Sequence, residues 1–349
     1  MRLIAALFCL CAAMAAQAAP VCIDPGQGVP DRHAEAGGVG GTGHGPGDAG
    51  GIGGTGAPLA DGIGGTGARR APAARVGVVG VVTGFGSICV NGLRLQYDRS
   101  ATVSENGRPA GTAALAVGQF VSIEAERVGD ALIARDIGIV QLLEGPLSAR
   151  REDGGFEVMG QPVLLLPDAR VDDGGRPLQP GDMVKVSGMR APGGRVHASR
   201  IERAPALDLA SVIGDVSHDH DVLGIDGLPV QGTLDESAES PTRQLLARGH
   251  WDGRVLRIRE TRMDPSLRFA DRVGNVVLEA LVSGRLDDGS LNGCGLQVVG
   301  SPSARLRGIV ASEALEVRRV RMTGRIAPDG RFVADEVDAL PGGQPMPVR

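Results

Sequence analysis

The run Asp215, His218, Asp219, His220 and Asp221 is the part of this sequence best supplied for chemistry. Histidines and carboxylates two residues apart on a strand share a face, and such a set can hold zinc or copper. Asp215, His218 and His220 are therefore the candidate metal ligands. The same run falls where a hairpin tip belongs, in the place that Arg151-Glu152-Asp153-Gly154-Gly155 takes one repeat earlier. Polar tips need no ligand to explain them. Trp251, between His250 and Asp252 in an expected turn, is the candidate exposed ring for contact with a ligand. The remaining aromatics of the mature chain are Phe85, Tyr97, Phe120, Phe156, Phe269 and Phe332. They are too few for a stacking platform, and Phe120 and Phe332 occupy strand positions suited to core packing. The net charge of −5 also lacks the cationic footprint of a nucleic-acid binder, so no such partner is expected.

Catalytic signatures are missing. The chain has no nucleophile elbow, zincin helix or phosphate loop. Asp172-Asp173 and Asp287-Asp288 abut glycine and read as turns, not as a general acid and base in a cleft. No enzyme activity and no cofactor are expected. Three segments formally satisfy G-x-G-x-x-G: Gly38–Gly43, Gly51–Gly56 and Gly62–Gly67. That fingerprint works only between a strand and a helix N-terminus, and these copies sit among Pro, Asp, His and more Gly. His33 and His44 lie near Asp31 and Asp48 but lack a regular ligand spacing.

The elements around these residues are of two kinds. Residues 1–18 read as a secretory signal peptide: Arg2, an apolar stretch from Leu3, and Ala16-Gln17-Ala18 before a mature start at Ala19. Residues 19–75 read as a flexible glycine-rich arm, because glycine loses most backbone entropy on folding and the tract has little apolar mass to compensate. No later segment is apolar enough to span a membrane. Cys22, Cys89 and Cys294 remain after cleavage, which permits one disulfide; the sequence leaves its pairing open, and three free thiols are the alternative.

From residue 76 onward the chain repeats. Val90-Asn91-Gly92-Leu93, Val158-Met159-Gly160-Gln161 and Ile225-Asp226-Gly227-Leu228 lie 68 and 67 residues apart. Asn-Gly and Asp-Gly are hairpin signals, since a type I′ turn needs positive φ at both central residues. Leu115-x-x-Gly118-x-x-Val121-x-Ile123 matches Leu178-x-x-Gly181-x-x-Val184-x-Val186, an alternation that marks a half-buried strand. Gly188, Gly249 and Gly324 each precede a further Gly-Arg-aliphatic turn. Four copies result, at 76–143, 144–207, 208–270 and 275–340, each with about five short strands. The expected fold is all-β: tandem small OB-like barrels, packed as separate beads, behind a disordered arm. A continuous β-solenoid is the alternative.

The run Val79-Gly80-Val81-Val82-Thr83-Gly84-Phe85-Gly86-Ser87-Ile88-Cys89-Val90-Asn91-Gly92, followed by Leu115 to Gln119, resembles the bacterial secreted family known as domain of unknown function 5666. The GGxGGTG arm resembles members of that family too. The third and fourth copies diverge and lack the full Thr-Gly-Phe-Gly-Ser signature. The resemblance implies a β-fold and an extracytoplasmic compartment, and brings no catalytic or binding residue with it. The expected function is a non-catalytic periplasmic or secreted array of binding or structural modules, with an unidentified envelope or extracellular partner. The alternative is an envelope sensor of a ligand or metal that uses the His/Asp loop of the third repeat.

Overall fold

In the computed structural model, Cys22 and residues 75–219, 222–234, 244–289 and 291–340 are described. The expected signal peptide and all but the edges of the glycine-rich arm lie outside them. The described residues are all-β, with 3-10 turns at Thr112–Ala114 and Pro265–Leu267 and no α-helix. The first repeat holds β1 (Arg75–Gly84), β2 (Ile88–Val90), β3 (Leu93–Gln96), β4 (Thr102–Glu105), β5 (Arg108–Ala110), β6 (Phe120–Val128) and β7 (Ala131–Val140). The second holds β8 (Leu143–Arg150), β9 (Phe156–Val158), β10 (Gln161–Asp172), β11 (Met183–Arg190) and β12 (Val196–Arg203). The third holds β13 (Ala210–Gly214), β14 (Val216–Asp219), β15 (Val222–Ile225), β16 (Leu228–Gln231), β17 (Leu245–Trp251) and β18 (Leu256–Met263). The fourth holds β19 (Asn275–Gly284), β20 (Leu291–Gly293), β21 (Leu296–Arg307), β22 (Leu315–Ile326) and β23 (Phe332–Ala339).

One pairing scheme recurs. In the second repeat β8 pairs β9, β9 pairs β10, β10 pairs β12 in parallel, β12 pairs β11, and β11 returns to β8. The five strands thus close a circuit and leave no free edge within it. The fourth repeat closes in the same order through β19, β20, β21, β23 and β22. In the first, the long third strand is split into β3 and β4, both parallel to β7, with β5 folded back on β4. In the third, Asp215 breaks the first strand into β13, paired with β17, and β14, paired with β15.

The separate-bead expectation is corrected. Sheet hydrogen bonds run from one repeat to another, the feature expected of a continuous β-solenoid. The first strands make these joints: β1 pairs β19 in parallel from Val76↔Asn275 to Val79↔Leu278, and β8 pairs β13 at Leu143↔Val212. The sequence explains why. Strand β1 reads Arg-Val-Gly-Val-Val-Gly-Val-Val, with no polar face. Val76, Val78 and Val82 point into the core of the first repeat, while Val79 and Val81 join a second core shared by all four repeats. A strand buried on both faces carries a continuous apolar run. Phe269, fully buried in the linker before the fourth repeat, lies over Gly77 so closely that a Cβ there would sit 2.1 Å from its ring.

The disulfide joins Cys22 to Cys89, with Cα atoms 5.2 Å apart. Cys294 is a free thiol.

Candidate functional site

The type I′ turn of each repeat folds its first residue inward. Asn91, Met159, Asp226 and Cys294 have φ of 55°, 50°, 46° and 50°, and a glycine with positive φ follows each. The fourth copy, Gly293-Cys294-Gly295-Leu296, escaped the sequence pattern because glycine replaces the aliphatic residue ahead of the turn. Glycines of the first strands make room for these side chains. A Cβ at Gly80 would lie 2.5 Å from Asn91, at Gly145 2.6 Å from Met159, and at Gly214 2.0 Å from Asp226. In the fourth repeat the sulfur of Cys294 instead lies 3.9 Å from the carbonyl of Glu279.

Two of these turns meet in a cavity of about 480 Å³ lined by the second, third and fourth repeats. From the second come the end of β11 and the turn after it, Arg190 to Gly194; from the third, Asp215, Asp226 and Gln244; from the fourth, Asn292 to Gln297. Arg190 is held rigidly. Its Nε donates to the Ile213 carbonyl at 2.7 Å, Nη1 to the Gly194 carbonyl at 2.6 Å and Nη2 to Gln161 at 3.2 Å. It forms an ion pair with Asp226 Oδ2 at 3.0 Å, and the two side chains are 3% and 10% exposed. The Asp215 amide donates to the same Oδ2 at 3.2 Å. Burial pushes the Asp226 carboxyl above the usual range; Arg190 opposes this and the Asp215 charge adds to it. Deeper in the same junction, Asp264 is half-buried, and burial likewise raises its carboxyl although Ser266 donates to it at 2.8 and 2.6 Å. Burial pushes the Cys294 thiol up to about 12, helped by the charges of Asp264 and Glu279.

Of the residues singled out from sequence, Asp215 reaches this cavity, as the strand break beside Asp226. His218 is exposed on β14 opposite Leu223, and His220 lies outside the described residues. Among the described residues no group of three or more His, Cys, Asp or Glu is placed to hold a metal ion. Trp251 is half-buried. It ends β17, pairs with Leu256 and packs against the shared core, because the turn begins one residue later at Asp252. Arg190, Asp226 and Cys294 were missed as site residues, since each is ordinary within its own repeat and only the assembly brings them together.

The comparisons with known proteins follow the repeats. The family described as Domain of unknown function (DUF5666) matches residues 76–138 and 144–202. The resemblance seen in the sequence therefore holds over the first two repeats, each of which the family model matches. No curated protein and no solved structure matches the chain. Among the described residues no helix is long and apolar enough to cross a membrane.

Proposed function

We propose that this chain is a non-catalytic, extracytoplasmic binding protein, exported by residues 1–18, in which each five-strand circuit is an OB-like barrel. The barrels act jointly, and a small polar ligand from the envelope occupies the cavity between the second, third and fourth. The observation that carries this reading is that cavity: it exists only where three repeats meet, its size is ordinary for ligand sites of roughly 300–1,000 Å³, and a buried ion pair forms its wall. The strand order, with the third and fifth strands parallel and the first closing on the fourth, supports the OB-like reading. The Cys22–Cys89 bond supports an oxidising compartment. Thiol chemistry is disfavoured, because the one cysteine at the cavity is held protonated by its surroundings and a thiol with so high a pKa is a poor nucleophile.

Native mass spectrometry tests the reading on protein isolated from the cell envelope. The wild type should carry a small-molecule adduct that is lost in Asn292→Trp, which fills the cavity mouth. An adduct retained in that variant, or none in either, would defeat it.

A further inference from the structure

The cavity wall is acidic in excess of what its own cation neutralises. Asp215 and Asp226 line it together with one guanidinium, that of Arg190. Arg190 spends its donors on two carbonyls, Gln161 and a single oxygen of Asp226. The other oxygen of Asp226, Oδ1, accepts no hydrogen bond from the described residues, although the side chain is only 10% exposed. It lies beside Gly194, where a Cβ would sit only 3.1 Å away, so a bare backbone keeps its approach open. A carboxylate oxygen that faces a cavity with free lone pairs takes a donor, and a charged donor most. Gln244, Asn292 and Gln297 supply neutral polar groups around the remaining space.

We infer that the cavity binds a small organic cation, a primary ammonium compound whose –NH₃⁺ group donates to Asp226 Oδ1 and is neutralised by Asp226 together with Asp215. This deepens the binding reading above and rests on it. An ammonium is favoured over a metal ion because the described residues offer no third ligand, and over an anion because two carboxylates, Asp215 and Asp226, line the cavity against the one guanidinium of Arg190.

The test is calorimetric titration of the full-length protein with putrescine at physiological salt, with acetate as the anionic control. Saturable one-to-one binding of putrescine and none of acetate are expected. Asp226→Asn should weaken binding by about tenfold or more, as expected when a buried charged partner is removed. Asparagine is the residue at the same turn position of the first repeat, Asn91, so the positive φ is kept. Gly194→Asn serves as the second variant: asparagine tolerates the φ of 83° there, its side chain crowds Oδ1, and it should also weaken binding. Absence of saturable binding to the wild type overturns the inference on its own. Binding left unchanged in either folded variant also overturns it, as attraction to the net negative surface. If an adduct is captured from the envelope while putrescine fails, the ligand class is wrong and the binding reading stands.

Discussion

His197 shows how far one side chain can set the pH response of this fold. It lies on β12, 2% exposed, with Nδ1 unpaired. Burial, reinforced by the nearby Arg195 charge, lowers its pKa from 6.5 to about 4. Above pH 6.5 the imidazole is neutral in both folded and unfolded chains and contributes no pH dependence. As pH falls below 6.5 the unfolded chain takes up a proton that the folded chain refuses, so stability is lost down to about pH 4. The full loss is on the order of 3 kcal/mol. Denaturant midpoints measured from pH 7 to 4 should fall for the wild type, and His197→Leu should remove that part of the slope. An unchanged slope would mean that other groups carry it. The Cys294 thiol behaves in a related way. Held protonated by burial, it should resist N-ethylmaleimide at pH 8 in the native protein and react within minutes in denaturant. Labelling of the native protein at the unfolded rate would show that the thiol is not buried.

At the scale of elements, the fourth and fifth strands of each repeat share a local irregularity. Their register shifts at Glu124/Ala125, Ser187/Gly188, Arg248/Gly249 and Thr323/Gly324. The sequence pattern marked the last three glycines as leading into turns; they lie inside the strands, where the partner backbone comes close. A Cβ at Gly324 would sit 2.1 Å from the Val333 carbonyl oxygen, a backbone atom that cannot swing aside. Gly324→Ala should therefore destabilise the protein by about 1–3 kcal/mol, the usual range for overpacking, read as a lower midpoint in urea. A loss below a few tenths of a kcal/mol would mean that the bulge relaxes freely. Strands and turns were legible in the sequence because Asn91-Gly92 and Asp226-Gly227 announce type I′ hairpins and Val-x-Val announces a half-buried strand. The cavity was not legible. Asp226 satisfies the turn rule whether or not its carboxylate faces a ligand, and Gly293-Cys294-Gly295 hides a hairpin behind weak β-formers. Glu279, a carboxylate in the apolar run of β19, is a visible irregularity that marks an inter-repeat contact.

The whole molecule depends on contacts of that last kind. Glu279 is fully buried; one oxygen accepts from the Val81 amide of the first repeat at 3.0 Å and the other from Arg319 Nε at 2.6 Å. Arg319 reaches on to Asp168 of the second repeat at 3.0 Å. Glu144 is placed similarly near the start of β8, accepting from Ser211 of the third repeat at 2.5 Å and from Asn106 of the first at 3.2 Å. Such groups are tolerable inside a protein only while their partners stay in place, so each ties the stability of one repeat to the folding of another. Add the β1–β19 ladder and the shared core, and no repeat keeps its first strand covered on both faces when its neighbours unfold. Thermal unfolding should then be one cooperative transition, not a series of four. Arg319→Met should lower that transition as a unit, by about 3–5 kcal/mol, because it strands Glu279 without its cation. Calorimetry decides between these pictures. Independent beads would give separate transitions, with only the fourth moved by the substitution. A closed body would shift everything at once, with the cavity between the repeats lost in the same step.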